Sequence, residues 1–317
     1  VSGPHNAIHV VRPGLLTTVQ DLGRWGHQAT GVAVAGPMDT FSHRVANALV
    51  GNEPSAATLE ITLIGPELVF ERACRIALAG ADFEVACSGR PIPLGMSAWL
   101  DDGARLHFGR RRAGARVYLA VAGGILTPTV LGSRATHLVS AMGGLEGRAL
   151  AANDVLPIEA GHSPGLQRRA PVAMLPSAGR ARLRVLPGPQ AEWFASDAWR
   201  ALCATSFRVS PRSNRTGYRL EGPQLPRQRD EEPISEPVTF GSIQVPAAGE
   251  PILLMADRQT AGGYPKIGCV IAADLPIAGQ LAPGDFIEFD VCGRQQAAAA
   301  LIARERPLLR LADAGRS

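Results

Sequence analysis

Residues 257–268 read DRQTAGGYPKIG. Asp257, Arg258, Gln259, Thr260, Tyr264 and Lys266 fall within ten positions. A loop does not need all of these groups in order to fold. Together they supply a carboxylate, a guanidinium, an amide, two hydroxyls and an ammonium, a set able to clamp an amide, a carboxylate or a ureido ring. A guanidinium presents a bidentate fork of donors, whereas an ammonium is a compact charge suited to a developing oxyanion. Lys266 is the one lysine among 32 Lys and Arg side chains. Arginine is used throughout the chain, so scarcity alone says little about Lys266. Gly262, Gly263 and Pro265 suit a shaped loop between the apolar runs PILLMAD and CVIAAD.

Three further clusters of polar side chains sit in glycine-rich text. TVQDLGRWGHQATGV holds Gln20, Asp21, Arg24 and Trp25. The polar side of a predicted helix holds Asp39, His43 and Asn47. SPRSNRTGYRLEG holds Arg212, Ser213, Asn214 and Arg215. Each cluster also has a structural explanation: Asp and Asn cap helices and turns, and arginines pair with surface carboxylates. His43, alone on its helix, reads as a hydrogen-bonded surface residue. The seven histidines are dispersed, with no pair at metal-ligand spacing. Signatures for a phosphate loop, a dinucleotide site, a G-x-S-x-G nucleophile and an H-E-x-x-H zinc site are missing. No metal site and no cofactor bound by this chain are therefore expected.

The elements that must position these groups follow from composition and pattern. A chain of 317 residues with 46% apolar content can fill two domains. Its 35 glycines and 25 prolines favour many short strands and turns over a helical bundle. Net charge is +4 and the arginines are scattered, so no nucleic-acid partner is expected. The run Arg110–Arg112 reads as a solvated hairpin turn. Five cysteines without a C-x-x-C read as buried free thiols. With no secretory segment and no apolar run long enough to span a bilayer, a cytoplasmic protein without membrane contact is expected.

AIHVVRPGLLTTVQD opens with a strand and a turn at Pro13-Gly14. A helix follows Pro37, with Asp39 as N-cap, Phe41, Val45, Ala48 and Leu49 as its apolar face, and Gly51 closing it. ATLEITLIGPELVFE, CRIALAG, FEVACSG, SAWLDDGARLHFG and RVYLAVAGGI are strand-sized runs. A new strand starts at ARLRVLPGP, and QAEWFASDAWRALCA reads as a helix. Strands resume at SFRVS, TGYRLEG, PILLMAD, GCVIAADLPIAG and DFIEFDVCG, and QAAAALIARERPLLR reads as a helix broken at Pro307. The chain is thus expected to be mostly β, with a first domain at 1–165, a linker at 166–180, a second domain at 181–298 and a partly helical tail at 299–317.

Three long, ordered stretches resemble a known family: TVQDLGRWGHQATGVAVAGPMDTFSHRVANALVGNEPSAATLEITLIGPELVF, RSNRTGYRLEG, and SEPVTFGSIQVPAAGEPILLMADRQTAGGYPKIGCVIAADLPIAGQLAPGD. The family is that of the biotin-dependent carboxyltransferases, and the resemblance covers roughly residues 8–295. It includes the carboxyltransferase domain of urea carboxylase, the C-type component of bacterial 5-oxoprolinase (also called KipA) and proteins called allophanate hydrolase subunit 2. The resemblance implies two tandem cyclophilin-like β-barrel domains with a few short helices. It implies one component of a multi-component enzyme acting on a small cyclic amide, most directly the ATP-dependent cleavage of 5-oxoproline to L-glutamate. The A-type and B-type components of 5-oxoprolinase would be the partners, with a homodimer of B–C heterodimers as one assembly. ATP would be used by the complex and not held by this chain. Two alternatives stand beside this reading. One is carboxyl transfer from carboxybiotin, the biotin lying on a separate carrier, to urea or a similar amide. The other is a non-catalytic regulatory role, in which the chain binds a kinase-inhibitor-like B-type protein.

These substrates share an N–C=O unit, which needs donors toward oxygen and an acceptor toward N–H. On that chemistry Asp257, Lys266 and Tyr264 are assigned as catalytic, and Gln259, Arg215, Asn47, Arg212 and Asp39 as substrate-binding. Two positions depart from the family pattern. GSRATHLVSAMGG has Ala135 in place of a serine and His137 in place of Asp or Tyr, and SEPVTFG has Pro237 in place of glycine.

Overall fold

The structure, a computed structural model, describes residues 6–159, 169–170, 175–229 and 231–313. About half of the expected 166–180 linker lies outside them. The chain separates into two compact units. The first comprises residues 1–24, 35–175 and 305–317, and the second residues 25–34 and 176–304. Both are mostly β, as the short apolar runs and Gly/Pro turns imply.

The first unit holds β1 (Asn6–Arg12), β2 (Leu16–Gln20), α1 (Thr40–Val50), β3 (Thr58–Thr62), β4 (Glu67–Phe70), β5 (Cys74–Cys87), β6 (Arg90–Pro91), β7 (Ser97–Leu100), β8 (Arg105–Val121) and β9 (Val155–Ile158). Its strands form one nine-stranded sheet in the order β2-β3-β8-β4-β1-β9, with β5 pairing β6, β7 and β8. The turn at Pro13-Gly14 requires its glycine: φ is +74°, and a Cβ there would stand 2.3 Å from the Ile64 carbonyl oxygen. Helix α1 starts and stops as its sequence dictates. Asp39 Oδ1 accepts from Ser42 N at 2.8 Å, and Gly51 ends the helix in the left-handed conformation.

Three expectations for this unit are corrected. CRIALAG and FEVACSG form the single strand β5, because Gly80 at φ +111° marks a register shift that bends the strand without ending it. Arg110–Arg112 are exposed but lie inside β8, where pairing with β5 continues at Phe83 and Arg111. The polar side of α1 does not face solvent, since His43 and Asn47 are both fully buried. Residues 52–58 cover that side: His43 Nδ1 bonds Thr58 Oγ1 at 2.9 Å, and Asn47 Nδ2 donates to Ala56 O at 2.8 Å. Burial pushes the His43 pKa down to about 4, so the ring is neutral at physiological pH.

The second unit holds β10 (Arg180–Pro187), α2 (Ser196–Ala204), β11 (Phe207–Val209), β12 (Gly217–Glu221), β13 (Glu236–Pro237), β14 (Ser242–Gln244), β15 (Ile252–Leu254), β16 (Ala261–Gly262), β17 (Lys266–Val270), α3 (Leu275–Gly279), β18 (Phe286–Val291) and the first part of α4 (Arg294–Asp313). Seven of the strands close into a barrel in the order β10-β17-β14-β15-β12-β11-β18. An odd ring cannot alternate strand direction all the way round, so one neighbouring pair must be parallel. That pair is β10 with β18, the first and last strands of the barrel, in register from Arg180–Phe286 to Val185–Val291. Leu183, Val185, Phe207, Val209, Ile287 and Phe289 are fully buried at alternating positions and fill this part of the core.

Further corrections fall at the chain's later elements. GCVIAADLPIAG is not one strand but the end of β17 followed by α3, with Pro276 in the first turn of that helix. Helix α4 runs through Pro307 to Asp313. Tertiary packing outweighs the hydrogen bond that Pro307 cannot make: Leu308 and Leu311 are buried among residues of α1, and Glu305 forms a bidentate pair with Arg44 at 2.9 and 2.7 Å. All five cysteines are free, but only Cys74, Cys87 and Cys292 are buried, while Cys269 is half-buried and Cys203 exposed.

Candidate functional site

Strands β14 and β17 pair so that Ser242 lies opposite Cys269, Ile243 opposite Gly268 and Gln244 opposite Lys266. Paired residues share a face, and the face alternates along a strand. Ile243 is fully buried. Ser242, Gln244, Lys266 and Cys269 therefore share the opposite face. The register shifts between Ile243 and Gln244, and this bulge brings Lys266, in place of Ile267, beside Gln244.

Two loops close over this polar face. They are joined by the short ladder β13·β16, with Glu236 opposite Gly262 and Pro237 opposite Ala261, and by Val238 N donating to Thr260 O at 3.1 Å. Lys266 is 4% exposed. Its Nζ donates to Glu236 Oε1 at 2.5 Å, and Gln190 Nε2 donates to the same oxygen at 2.6 Å. Gln190 also accepts from the backbone N–H of Lys266 at 3.1 Å, so one amide orients both partners. The Lys266 ammonium holds the Glu236 carboxyl below the usual carboxylate range, with burial partly offsetting it and Gln190 assisting. Glu236 is the more accessible member, its side chain 37% exposed. Gln259 Nε2 donates to Gln244 Oε1 at 3.4 Å, and Tyr264 is exposed at the rim.

Asp257 and Arg215 are bonded to each other. Arg215 Nε donates to Asp257 Oδ2 and its Nη2 to Oδ1, both at 2.9 Å, and both residues are buried. The β12·β15 pairing extends toward this pair through Met255 N to Thr216 O and Asp257 N to Arg215 O. The pair engages both Asp257 oxygens and two of the Arg215 nitrogens. Its evident task is to fix the first residue of the 257–265 loop. Asn214 is spent on the turn, accepting from Thr216 N at 2.8 Å. Arg212 is exposed, with a loose 4.0 Å contact to Glu250.

Asp39 and Asn47 belong to the first unit. Asp39 caps α1 and accepts from Ser42 Oγ at 2.6 Å; Asn47 also accepts from Asn52 Nδ2 at 3.0 Å. The QDLGRW segment is similarly engaged. Asp21 accepts from Gly23 N, Ser133 Oγ and Arg134 N, and Arg24 donates to Ala135 O. His137 Nδ1 bonds Ser140 Oγ at 2.6 Å within a tight turn. Two cavities in this unit, one near Phe41, Val45 and Leu94 and one near Asn52, Arg75 and Glu159, do not touch the Lys266 cluster. Among the described residues, no group of three or more His, Cys, Asp and Glu could hold a metal ion, and no helix is long and apolar enough to cross a membrane.

Glu236, Gln190 and Gln244 belong to the Lys266 cluster, and sequence reasoning did not single them out. Glu236 stands beside the noted Pro237, but only the pairing of β13 with β16 shows that it meets Lys266.

A family model for the carboxyltransferase domain, subdomains A and B, matches residues 30–291. The chain is 39% identical over 305 residues to the C component of 5-oxoprolinase from Escherichia coli, covering 96% of this chain and 97% of that protein. The corresponding 5-oxoprolinase component of Haemophilus influenzae is 35% identical over 281 residues, 89% of this chain and 90% of that one. The solved urea carboxylase of Kluyveromyces lactis superposes with a TM-score of 0.91 at 30% identity, covering 98% of this chain but only 30% of that enzyme. The full-length likeness and the family match agree with the resemblance carried by the sequence signatures, and this chain belongs to the carboxyltransferase-domain family of subdomains A and B.

Proposed function

We propose that this chain is the C-type component of a complex that hydrolyses 5-oxoproline to L-glutamate. The observation that carries the reading is its match, end to end, with the C component of 5-oxoprolinase. In the reaction the lactam C–N bond breaks, water supplies the oxygen of the new carboxylate, and the nitrogen leaves as an amine. ATP hydrolysis drives the opening, and ATP is handled by the A-type and B-type partners. The Lys266 face has the groups this chemistry needs. Lys266 is a buried positive charge able to stabilise an oxyanion at the lactam carbonyl. Glu236, kept ionised by Lys266, is the acceptor for the lactam N–H. Gln190 orients both, and Tyr264 stands at the entrance.

Carboxyl transfer to a urea-like amide is the second reading, supported by the likeness to urea carboxylase over nearly the whole of this chain. There a carboxylase and a biotin carrier would be partners, and the same donors would face a ureido group. Lys266→Met tests the assignment common to both. In the assembled complex it lowers kcat by about a hundredfold or more, the scale of losing one oxyanion donor, while the chain still co-purifies with its partners. A variant with wild-type turnover would remove Lys266 from the chemistry, and one that no longer assembles would make it an interface residue.

A further inference from the structure

Within the described residues of the second unit, two buried side-chain polar atoms have no hydrogen-bond partner, Arg258 Nε and Gln244 Nε2. Both are donors. Arg258 is 9% exposed and pairs with no carboxylate among the described residues. Its contacts are one long bond, 3.5 Å, to Ala256 O and the face of Phe240, 5.7 Å from the ring centroid. The neighbouring acid, Asp257, is held at both oxygens by Arg215. Burial lowers the pKa of Arg258, with Cys269 and Asp257 partly offsetting it.

Gln244 is 1% exposed and lies on the face shared with Lys266. A Cβ at position 262 would stand 2.7 Å from its unused nitrogen, so only glycine fits against that donor. A buried donor without an acceptor is costly, and a buried guanidinium more so. A chain of contacts links Arg258 to this face. Arg258 packs on Phe240, whose carbonyl accepts from the Cys269 thiol, and Cys269 is paired with Ser242, two residues before Gln244.

We propose that Arg258 is a specificity-determining residue of this site, binding the carboxylate of the substrate while Gln244 Nε2 donates to the lactam carbonyl beside Lys266. The site then selects carboxylated cyclic amides over neutral ones. This rests on the 5-oxoproline reading above. A bound bicarbonate or carboxylated group would satisfy the same fork, and the experiment separates the two sources.

The test uses the chain assembled with its A-type and B-type partners, as wild type, Arg258→Met and Arg258→Lys. L-5-Oxoproline is the substrate and 2-pyrrolidinone, its neutral analogue, the competitor, and thermal unfolding of each chain is recorded in parallel. Arg258→Met is expected to raise KM for 5-oxoproline at least tenfold with a smaller effect on kcat. It is expected to bring 5-oxoproline and 2-pyrrolidinone within about threefold of each other in apparent affinity. Its unfolding temperature stays equal or rises, because a buried charge without an acid partner has gone; Arg258→Lys recovers part of the KM. An unchanged KM, or a lowered unfolding temperature with both ligands weakened alike, overturns the proposal and makes Arg258 structural. If the wild-type complex opens no 5-oxoproline, the functional reading fails instead. Titration of the full chain with bicarbonate then decides: binding lost in Arg258→Met supports the carboxylate site with the other source, and no binding by wild type sinks it.

Discussion

Lys266 and Glu236 form a pair whose members differ in exposure, 5% and 37% at the side chain. The buried member carries the cost. Glu236→Gln keeps the shape but leaves the ammonium with a weaker acceptor, and it should lower stability by roughly 1–2 kcal/mol at pH 7, less than a fully buried pair because Glu236 is partly screened. The sign of the pH dependence follows from the lowered pKa. Above the ordinary glutamate value of 4.5 the pair's stabilisation is fully present, and it is lost as pH falls through the lower folded-state value. Urea unfolding of wild type and Glu236→Gln from pH 7 into acid should therefore show a stability gap that narrows below about pH 4.5. A gap independent of pH would mean that Glu236 acts through packing alone. At this scale the sequence singled out Lys266 and Gln259, and the structure brings both beside Gln244. It was silent on Glu236, Gln190 and Gln244, which reach the site through strand pairing across long separations. It could not show that Asp257 and Arg215 are bonded to each other, because each residue type serves equally well for a ligand and for a buried ion pair.

Elements place these side chains by register. One bulge between Ile243 and Gln244 decides that Lys266 shares a face with Gln244, and no local sequence pattern announces it. Helix α1 was legible in full at its ends, where Asp39 and Gly51 have specific chemistry, and misread on its polar side. His43 and Asn47 look like solvent-facing groups until residues 52–58 are seen to cover them. Similarly, Pro307 argues for a helix break, yet α4 continues because its last turns bury Leu308 and Leu311 against α1. Leu308→Ala should cost about 2–4 kcal/mol, the range for truncating a buried leucine, read as a lower urea midpoint with an unchanged slope. A cost below about 0.5 kcal/mol would mean that this end of α4 adds nothing to the first unit.

On the scale of the whole molecule, Gly/Pro punctuation and short apolar runs pointed correctly to two mostly-β units. Barrel closure did not follow from them, since it depends on the parallel pairing of β10 with β18, about a hundred residues apart. The family membership accounts for the fold and for the long signatures around Lys266. The proposed division of labour gives this chain the amide-binding face and leaves ATP to its partners. The most direct measurement is reconstitution: this chain, its A-type and B-type partners, ATP and 5-oxoproline, with L-glutamate and ADP quantified and each component omitted in turn. The account predicts glutamate formation coupled to ATP hydrolysis with the full set, and none when this chain is left out. Glutamate formed at the same rate without this chain, or no turnover of 5-oxoproline by the complete assembly, would contradict it.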